Sequence, residues 1–457
     1  MKKSDVVIVG GSAAGLTAAI TARKHYPEKT ILIVRKEDKV PIPCGIPYVF
    51  GTVGSPDKNL IPDSILEQNK IDLLVNEVVE LERGKRKVHT KSGDEIQYDK
   101  LILATGSLPM MPPIPGIDKE NVFSVLKDND HLAKIQGKLK SARKVVIIGG
   151  GFIGVEFADE FNKLGHLDVT IVELLPHCLQ LALDPEICEE LESLLIERKI
   201  KIITNQKVVS IEGNKKAKAV NLISGASIDA DLVIVGIGAV ANVELAKKAG
   251  LRFGPTNSIW VDGTMRTMDE NIFACGDCAE KTSFFGGKPS KLKLASIAGS
   301  EARIAGANLF GVHRENVGTI GVFSTCIGDR AFAMAGLTES AAREIGYDGN
   351  IATGIAKAPN RHPGGMPGMV PQTVKLIFER RTRVLIGAEV MGDKAVGELI
   401  NTASACIQHK MTVDDIACFQ MGTHPALTAS PIVYQFVNAA ESALVTMRER
   451  AVVSVAA

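Results

Sequence analysis

Short runs of β-branched and aliphatic residues recur along the first two thirds of the chain. Val6–Val9, Thr30–Val34, Leu101–Ala104, Val145–Ile148, Thr170–Val172 and Leu232–Val235 are near-continuous apolar segments rather than alternating ones. Strands buried on both faces read this way. Segments of helical periodicity separate them from residue 5 to about 310. Strand–helix alternation of this kind predicts parallel sheets with helices on both sides. The four prolines of Pro109–Pro115, at 109, 112, 113 and 115, predict an extended crossing between domains. The texture changes near Val317. Beyond it, strands are expected at Val374–Phe378 and Val384–Val390 and a helix at Ala395–Ile407, forming a separate α+β unit. The Pro/Gly-rich stretch Ala358–Pro371 reads as a loop inside that unit.

A chain of 457 residues with 45% apolar residues has room for two or three domains. Its formal charge of +1 offers no electrostatic footprint for nucleic acid or an anionic membrane. The basic run Arg83–Lys87 is expected to be a solvated hairpin turn. No stretch of 18 apolar residues suggests a membrane span, and Met1-Lys2-Lys3 leads straight into the first strand without a signal-peptide pattern. A cytoplasmic location is expected. Eight irregularly spaced cysteines do not form a disulfide framework. Cys275 and Cys278 make a CxxC, but no second pair accompanies it, so no metal site is expected.

The chemistry concentrates in two glycine-rich turns about 140 residues apart. Gly10-Gly11-Ser12-Ala13-Ala14-Gly15 follows Val6–Val9. Gly149-Gly150-Gly151-Phe152-Ile153-Gly154 follows Val145–Ile148. Each stands between a strand and a helix, where a tight turn brings backbone N–H groups onto a pyrophosphate at a helix N-terminus. Two such turns suggest two dinucleotides. Ser12 stands where the second glycine of the first motif usually sits. In the second motif, the strand ending at Val172 is followed by Glu173, 24 residues past Gly149. A carboxylate there accepts from a ribose 2′-hydroxyl and repels a 2′-phosphate, which favours NADH over NADPH. After the first motif the strand ends in Arg35-Lys36-Glu37, and the corresponding acid is absent.

Two further segments, Leu101–Ser107 with its Ala104-Thr105-Gly106 turn and Asn271–Ala279 with Asp277, accompany these motifs in order. Together the four segments resemble the pyridine nucleotide–disulfide oxidoreductases. The resemblance implies an α/β fold with two Rossmann-like dinucleotide-binding domains and a C-terminal α+β dimerisation domain. An FAD domain is expected at 1–115 and 245–317, an NAD(H) domain at 116–244 and the dimerisation domain at 318–457. It implies FAD at the first motif and NADH at the second, with Asp277 on the ribityl chain of FAD and Ala104-Thr105-Gly106 beside the flavin. Gly238 is counted with the cofactor-site residues. Cys275 and Cys278 become small residues flanking Asp277.

Cys44 lies in Val40-Pro41-Ile42-Pro43-Cys44-Gly45-Ile46-Pro47-Tyr48. Many family members place a second cysteine five positions on, where this chain has Val49. The CGxPY context resembles the single-cysteine branch, which includes coenzyme A disulfide reductases, persulfide reductases, NADH oxidases and NADH peroxidases. The alternative is a buried structural thiol. Oxidase and peroxidase members carry a histidine in the first glycine motif, where this chain has Ala13. The disulfide and persulfide reductases have Ser and Asn before the cysteine, and this chain has Pro41 and Pro43. They also bring tyrosines from the partner subunit, which the loop Asn360–Gly365, containing His362, lacks. Arg23 matches a position used for coenzyme A phosphates, with an exposed helical arginine as the alternative.

His424-Pro425 resembles the His-Pro motif of the two-cysteine reductases, but the orienting glutamate five residues on is replaced by Ala429. His424 is read either as a proton donor to a leaving thiolate or as a loop histidine. Glu156 matches a position close to nicotinamide and isoalloxazine, or else is a solvated helix-face carboxylate. Phe152 is read as an aromatic gate over the flavin or as a packing residue. The expected enzyme is a homodimeric, FAD-dependent NADH oxidoreductase reducing a small disulfide, persulfide or polysulfide through Cys44, a class that includes coenzyme A disulfide. The alternatives are an NADH oxidase, a dehydrogenase passing electrons to a quinone or redox protein docked at Gly364–Val370, and an NADH-responsive redox sensor.

Overall fold

The computed structural model describes residues 2–311, 314–347 and 349–455. They form two compact units. The first, comprising 1–149, 160–172 and 206–319, contains both nucleotide-type sheets. In one sheet, Asp72–Val75, Ile31–Arg35, Lys2–Val9 and Glu95–Leu103 lie side by side in parallel. Ile272–Ala274 pairs in parallel with the far end of Glu95–Leu103. The near-continuous apolar runs are explained by burial on both faces: Val6, Val7, Ile8, Leu101, Ile102 and Leu103 are all fully buried. The register opposes Val9 to both Val34 and Leu103, and Leu103 to Ala274. Four turns therefore leave the same carboxyl edge: Gly10–Gly15, the segment after Arg35, Ala104–Gly106 and Cys275–Asp277.

In the second sheet, Lys144–Ile148 lies between Asp168–Val172 and Leu232–Val235, with Val122–Ser124 outside the latter. Ile148 is opposite both Val172 and Val235, so the second glycine turn also starts from a shared carboxyl edge. The basic run forms the expected hairpin turn between the antiparallel strands Val78–Glu82 and Lys87–Thr90. It is not wholly solvated, because Arg83 pairs with Asp269 at 3.0 Å.

The second unit comprises 150–159, 173–205 and 320–457. Its sheet is antiparallel throughout, in the order Val322–Ile327, Arg330–Gly336, Leu385–Gly392, Pro371–Glu379, Ile351–Pro359. Helices Val396–Gln408 and Gln435–Val455 pack on it. Gly354 admits the latter helix closely: a Cβ there would lie 1.9 Å from the Ala439 carbonyl oxygen. The loop expected over Ala358–Pro371 is shorter, because Pro359 pairs with Pro371 and closes a hairpin around 360–370. Pairing across the sheet extends both strands into proline-containing ends that local composition assigns to a loop.

A buried charge cluster ties this unit together. The Lys375 ammonium lies 2.8 Å from Asp184 and 3.3 Å from both Glu339 and Glu389, and it also pairs with Glu186. Among the described residues, Asp184, Glu186 and Glu389 are close enough to share a cation, and the lysine already holds that place. Burial, reinforced by Asp184 and opposed by Lys375, pushes the Glu389 carboxyl up to about 8. A carboxyl raised in the folded state contributes stability that is complete below its unfolded value and is lost as pH climbs through the folded one. Urea unfolding of the wild type is therefore expected to weaken between about pH 4.5 and 8 relative to Glu389→Gln. Parallel pH profiles for the two proteins would contradict this.

Candidate functional site

The first glycine turn is shaped by backbone contact. Gly10 has φ +112°, and a Cβ on it would lie 2.2 Å from the Ala104 carbonyl oxygen. A Cβ on Gly15 would lie 1.9 Å from the Gly10 oxygen. The two glycines thus seat the turn against the Ala104-Thr105-Gly106 segment and the helix against the turn. Ser12 precedes helix Ala13–His25 without capping it through its side chain. The neighbouring turn is pinned by Asn242, which accepts from Thr105 Oγ1 at 2.6 Å and donates its N–H to the Gly106 oxygen at 2.9 Å. Gly106 has open space where a side chain would project.

Asp277 reaches the same edge from the short turn Gly276–Cys278. A Cβ on Gly276 would lie 2.9 Å from Ala14 Cβ, so this turn rests on the first helix. Burial would raise the Asp277 carboxyl, but Lys127 at 3.1 Å and the Ser107 hydroxyl at 2.7 Å hold it below the usual carboxylate range. Cys275 and Cys278 are buried, and burial pushes both thiols up. They fill space behind Asp277, with Cys278 Sγ donating to the Leu103 carbonyl. A cradle closed to side chains, open at Gly106 and flanked by a carboxylate fits a dinucleotide carrying hydroxyl groups.

Where the acid is missing after Val34, Arg35 stands instead. Arg35 is buried, its stem lies against Gly11, and its guanidinium makes two bonds to Asp63 at 2.7 and 2.8 Å. Asp63, Asn59 and Asn242 carry no local motif and are visible only through long-range contact.

At the second turn, Gly149 has φ +106°, and Gly151 has open space around its Cβ position. Phe152, Ile153 and Gly154 begin the helix Phe152–Asn162. Glu173 accepts from the N–H of Gly150 and, at 2.7 Å, from that of Leu175. Its carboxylate is thereby fixed beside the glycine turn, with lone pairs left for ribose hydroxyls. Gly238, at φ +103°, occupies the turn after Leu232–Val235 with open space beside it. Phe152 packs on Phe323, with ring centroids 5.1 Å apart. Glu156 accepts from Thr325 Oγ1 at 2.9 Å and is half-buried rather than fully solvated.

Cys44 is exposed, although Ile46, Pro47, Val49 and Phe50 around it are buried. It lies in the turn Pro43–Gly45, braced by Asn59, whose amide donates to the Ile42 oxygen at 2.9 Å and whose Oδ1 lies against Gly45. The reading of Cys44 as a buried structural thiol is therefore corrected. Eight residues on, Thr52 gives its N–H and hydroxyl to buried Glu160 at 2.7 and 2.8 Å. Arg23 is engaged by backbone: its guanidinium donates to the carbonyls of Pro27, Lys29, Asn69 and Lys70.

In the second unit, the structure brings the two histidine loops together. His362 donates its N–H to the Pro425 oxygen at 3.2 Å, and its Nδ1 lies 3.1 Å from the Thr428 oxygen. His424 is exposed, and its Nδ1 accepts from the Ala426 N–H at 3.2 Å. This bond orients the ring in place of the absent carboxylate and leaves the neutral ring's proton on Nε2.

Residues 4–302 match the family model described as pyridine nucleotide-disulphide oxidoreductase, and 322–431 match that family's dimerisation domain. The chain belongs to this family. It is an oxidoreductase that uses FAD and NAD(P)H. The NADH oxidase of Methanocaldococcus jannaschii is 34% identical over 424 residues, covering 90% of this chain and 92% of its own. The NAD(P)H coenzyme A polysulfide/persulfide reductase of Pyrococcus horikoshii is 33% identical over 420 residues, covering 90% and 93%. The solved NAD-dependent persulfide reductase from A. fulgidus matches with a TM-score of 0.89 at 32% identity, over 97% of this chain and 83% of that one. Among the described residues, no helix is long and apolar enough to cross a membrane.

Glu173→Gln keeps the shape of the side chain beside the glycine turn but removes its charge, which tests its expected role on the ribose. The substitution is expected to raise the KM for NADH about tenfold while changing that for NADPH far less. Steady-state kinetics with both nucleotides checks this, and equal effects on the two would remove Glu173 from 2′-hydroxyl recognition.

Proposed function

We propose that this oxidoreductase reduces a small disulfide, persulfide or polysulfide, with coenzyme A disulfide in that class, using NADH and the single thiol of Cys44. The observation that carries the reading is the exposure of Cys44 on a turn that runs straight into the buried residues Ile46, Pro47, Val49 and Phe50, with Val49 where a second cysteine would stand. The persulfide and polysulfide reductases among its relatives support the same class. In this reading 1–115 and 245–317 hold FAD, 116–244 holds NADH and 318–457 forms the interface of a cytoplasmic homodimer.

Gly10, Gly11, Ser12, Ala13, Ala14, Gly15 and the Ala104-Thr105-Gly106 turn seat FAD, and Asp277 takes its ribityl hydroxyls. Gly149, Gly151, Phe152, Ile153, Gly154, Glu173 and Gly238 seat NADH, and Glu156 lies towards the nicotinamide. FAD, when bound, supplies the relay from the hydride of NADH to an electron pair on sulfur. Cys44 does the covalent work. Its thiolate attacks one sulfur of the substrate, the S–S bond breaks, a mixed disulfide forms, and the other sulfur leaves as a thiolate. The Nε2–H of the partner subunit's His424 protonates that leaving group. Over one cycle a disulfide, one NADH and one proton become two thiols and NAD⁺. Ala13 leaves the first motif without an acid–base side chain, which disfavours peroxide chemistry at Cys44.

The reading is tested by anaerobic reduction with NADH, followed by addition of coenzyme A disulfide or polysulfide. Rapid reoxidation is expected in the wild type, falling to background in Cys44→Ser. Reoxidation by oxygen alone, at equal rates in both proteins, would instead mean an NADH oxidase in which Cys44 takes no part.

A further inference from the structure

Behind Asp277 lies an ion pair that the chemistry above does not use. Lys281 and Glu301 each have side chains only 2% exposed, and their charged atoms are 3.3 Å apart. Both address the same residue, one through its N–H and the other through its carbonyl. Glu301, on helix Ala295–Ala307, accepts from the Gly276 N–H at 2.8 Å. Lys281 donates to the Gly276 carbonyl at 2.7 Å and to that of Ala279 at 3.1 Å. Glu301 Oε1 has no hydrogen-bond partner.

A buried ion pair is a weak source of stability, since apolar side chains of equal volume often serve as well or better. A buried carboxylate oxygen without a partner adds to that cost. Apolar side chains would not hold a residue by both its N–H and its carbonyl. Gly276 needs such orientation: its φ is +78°, its missing Cβ lets the turn rest on Ala14, and Asp277 is the next residue.

We infer that Lys281 and Glu301 are positioning residues that fix the two peptide units flanking Gly276 and thereby hold Asp277 in the arrangement that retains FAD. The inference rests on the reading of Asp277 as a ribityl ligand. Both side chains are buried and spend their polar atoms on backbone and on each other. They act through backbone, so their loss changes how firmly the flavin is held and the polarity around it.

The test uses holoenzyme carrying Glu301→Gln, Lys281→Met, Asp277→Asn or the Asp277→Asn/Glu301→Gln pair. FAD release after dilution is followed by the fluorescence of freed flavin, and the bound flavin's absorption spectrum and midpoint potential are recorded. Glu301→Gln is isosteric, so it keeps the test open if Lys281→Met does not fold. Glu301→Gln is expected to release FAD about tenfold faster with a shifted flavin spectrum, and to add little in the Asp277→Asn background. Wild-type release by Glu301→Gln alongside fast release by Asp277→Asn would overturn the inference alone. So would full multiplication of the two effects in the pair. Wild-type release by Asp277→Asn would overturn the ribityl reading of Asp277, and the inference with it.

Discussion

The first glycine turn depends on one backbone contact, the approach of Gly10 to the Ala104 carbonyl. Parallel register places Val9 opposite Leu103, so the turns that follow the two strands begin at the same level. With Cβ room denied at Gly10 and Gly15, strand, turn and helix pack at backbone distance. The Gly276 turn, resting on Ala14, is the third party to this arrangement. A dinucleotide site at the carboxyl edge of a parallel sheet follows from the meeting of such turns rather than from any one side chain. The polar groups around it, Asn242 on the Thr105–Gly106 turn and Lys281 with Glu301 on Gly276, secure the backbone from behind.

Much of this was legible in the sequence because it is local. The expected strands at Val145–Ile148 and Leu232–Val235 match observed Lys144–Ile148 and Leu232–Val235 almost to the residue. The expected helix at Ala395–Ile407 matches Val396–Gln408. Continuous apolar runs and glycine turns carry their structural meaning within ten residues. Asn59 beside Cys44, Asp63 on Arg35 and Glu160 on Thr52 do not. Each acts across a chain separation that periodicity and spacing do not register. Arg23 shows the same limit in reverse: an arginine read as a phosphate ligand or a solvated side chain is engaged by four backbone carbonyls.

The two units manage polar burial differently. In the first, Arg35 is paired with Asp63, Glu160 is capped by Thr52, and Lys281 with Glu301 grips the Gly276 turn. In the second, Lys375 and its carboxylates join Asp184, at the start of one helix, to the central strands of an antiparallel sheet. The His362 and His424 loops are joined by a backbone bond and a ring-to-carbonyl bond, so their geometry is held more lightly than that of the glycine turns.

The distribution of thiols has a consequence for survival under oxidative stress. Cys178, Cys188, Cys275, Cys278 and Cys406 are buried, and burial raises each of them, which keeps them protonated and out of reach of peroxide. Cys44 and Cys418 stand at the surface. Oxidative lesions therefore fall first on side chains whose loss leaves the hydrophobic interior untouched. In the reading of Cys44 as the redox thiol, its oxidation as far as sulfenic acid is undone by reduction at the surface, with the buried thiols left in place.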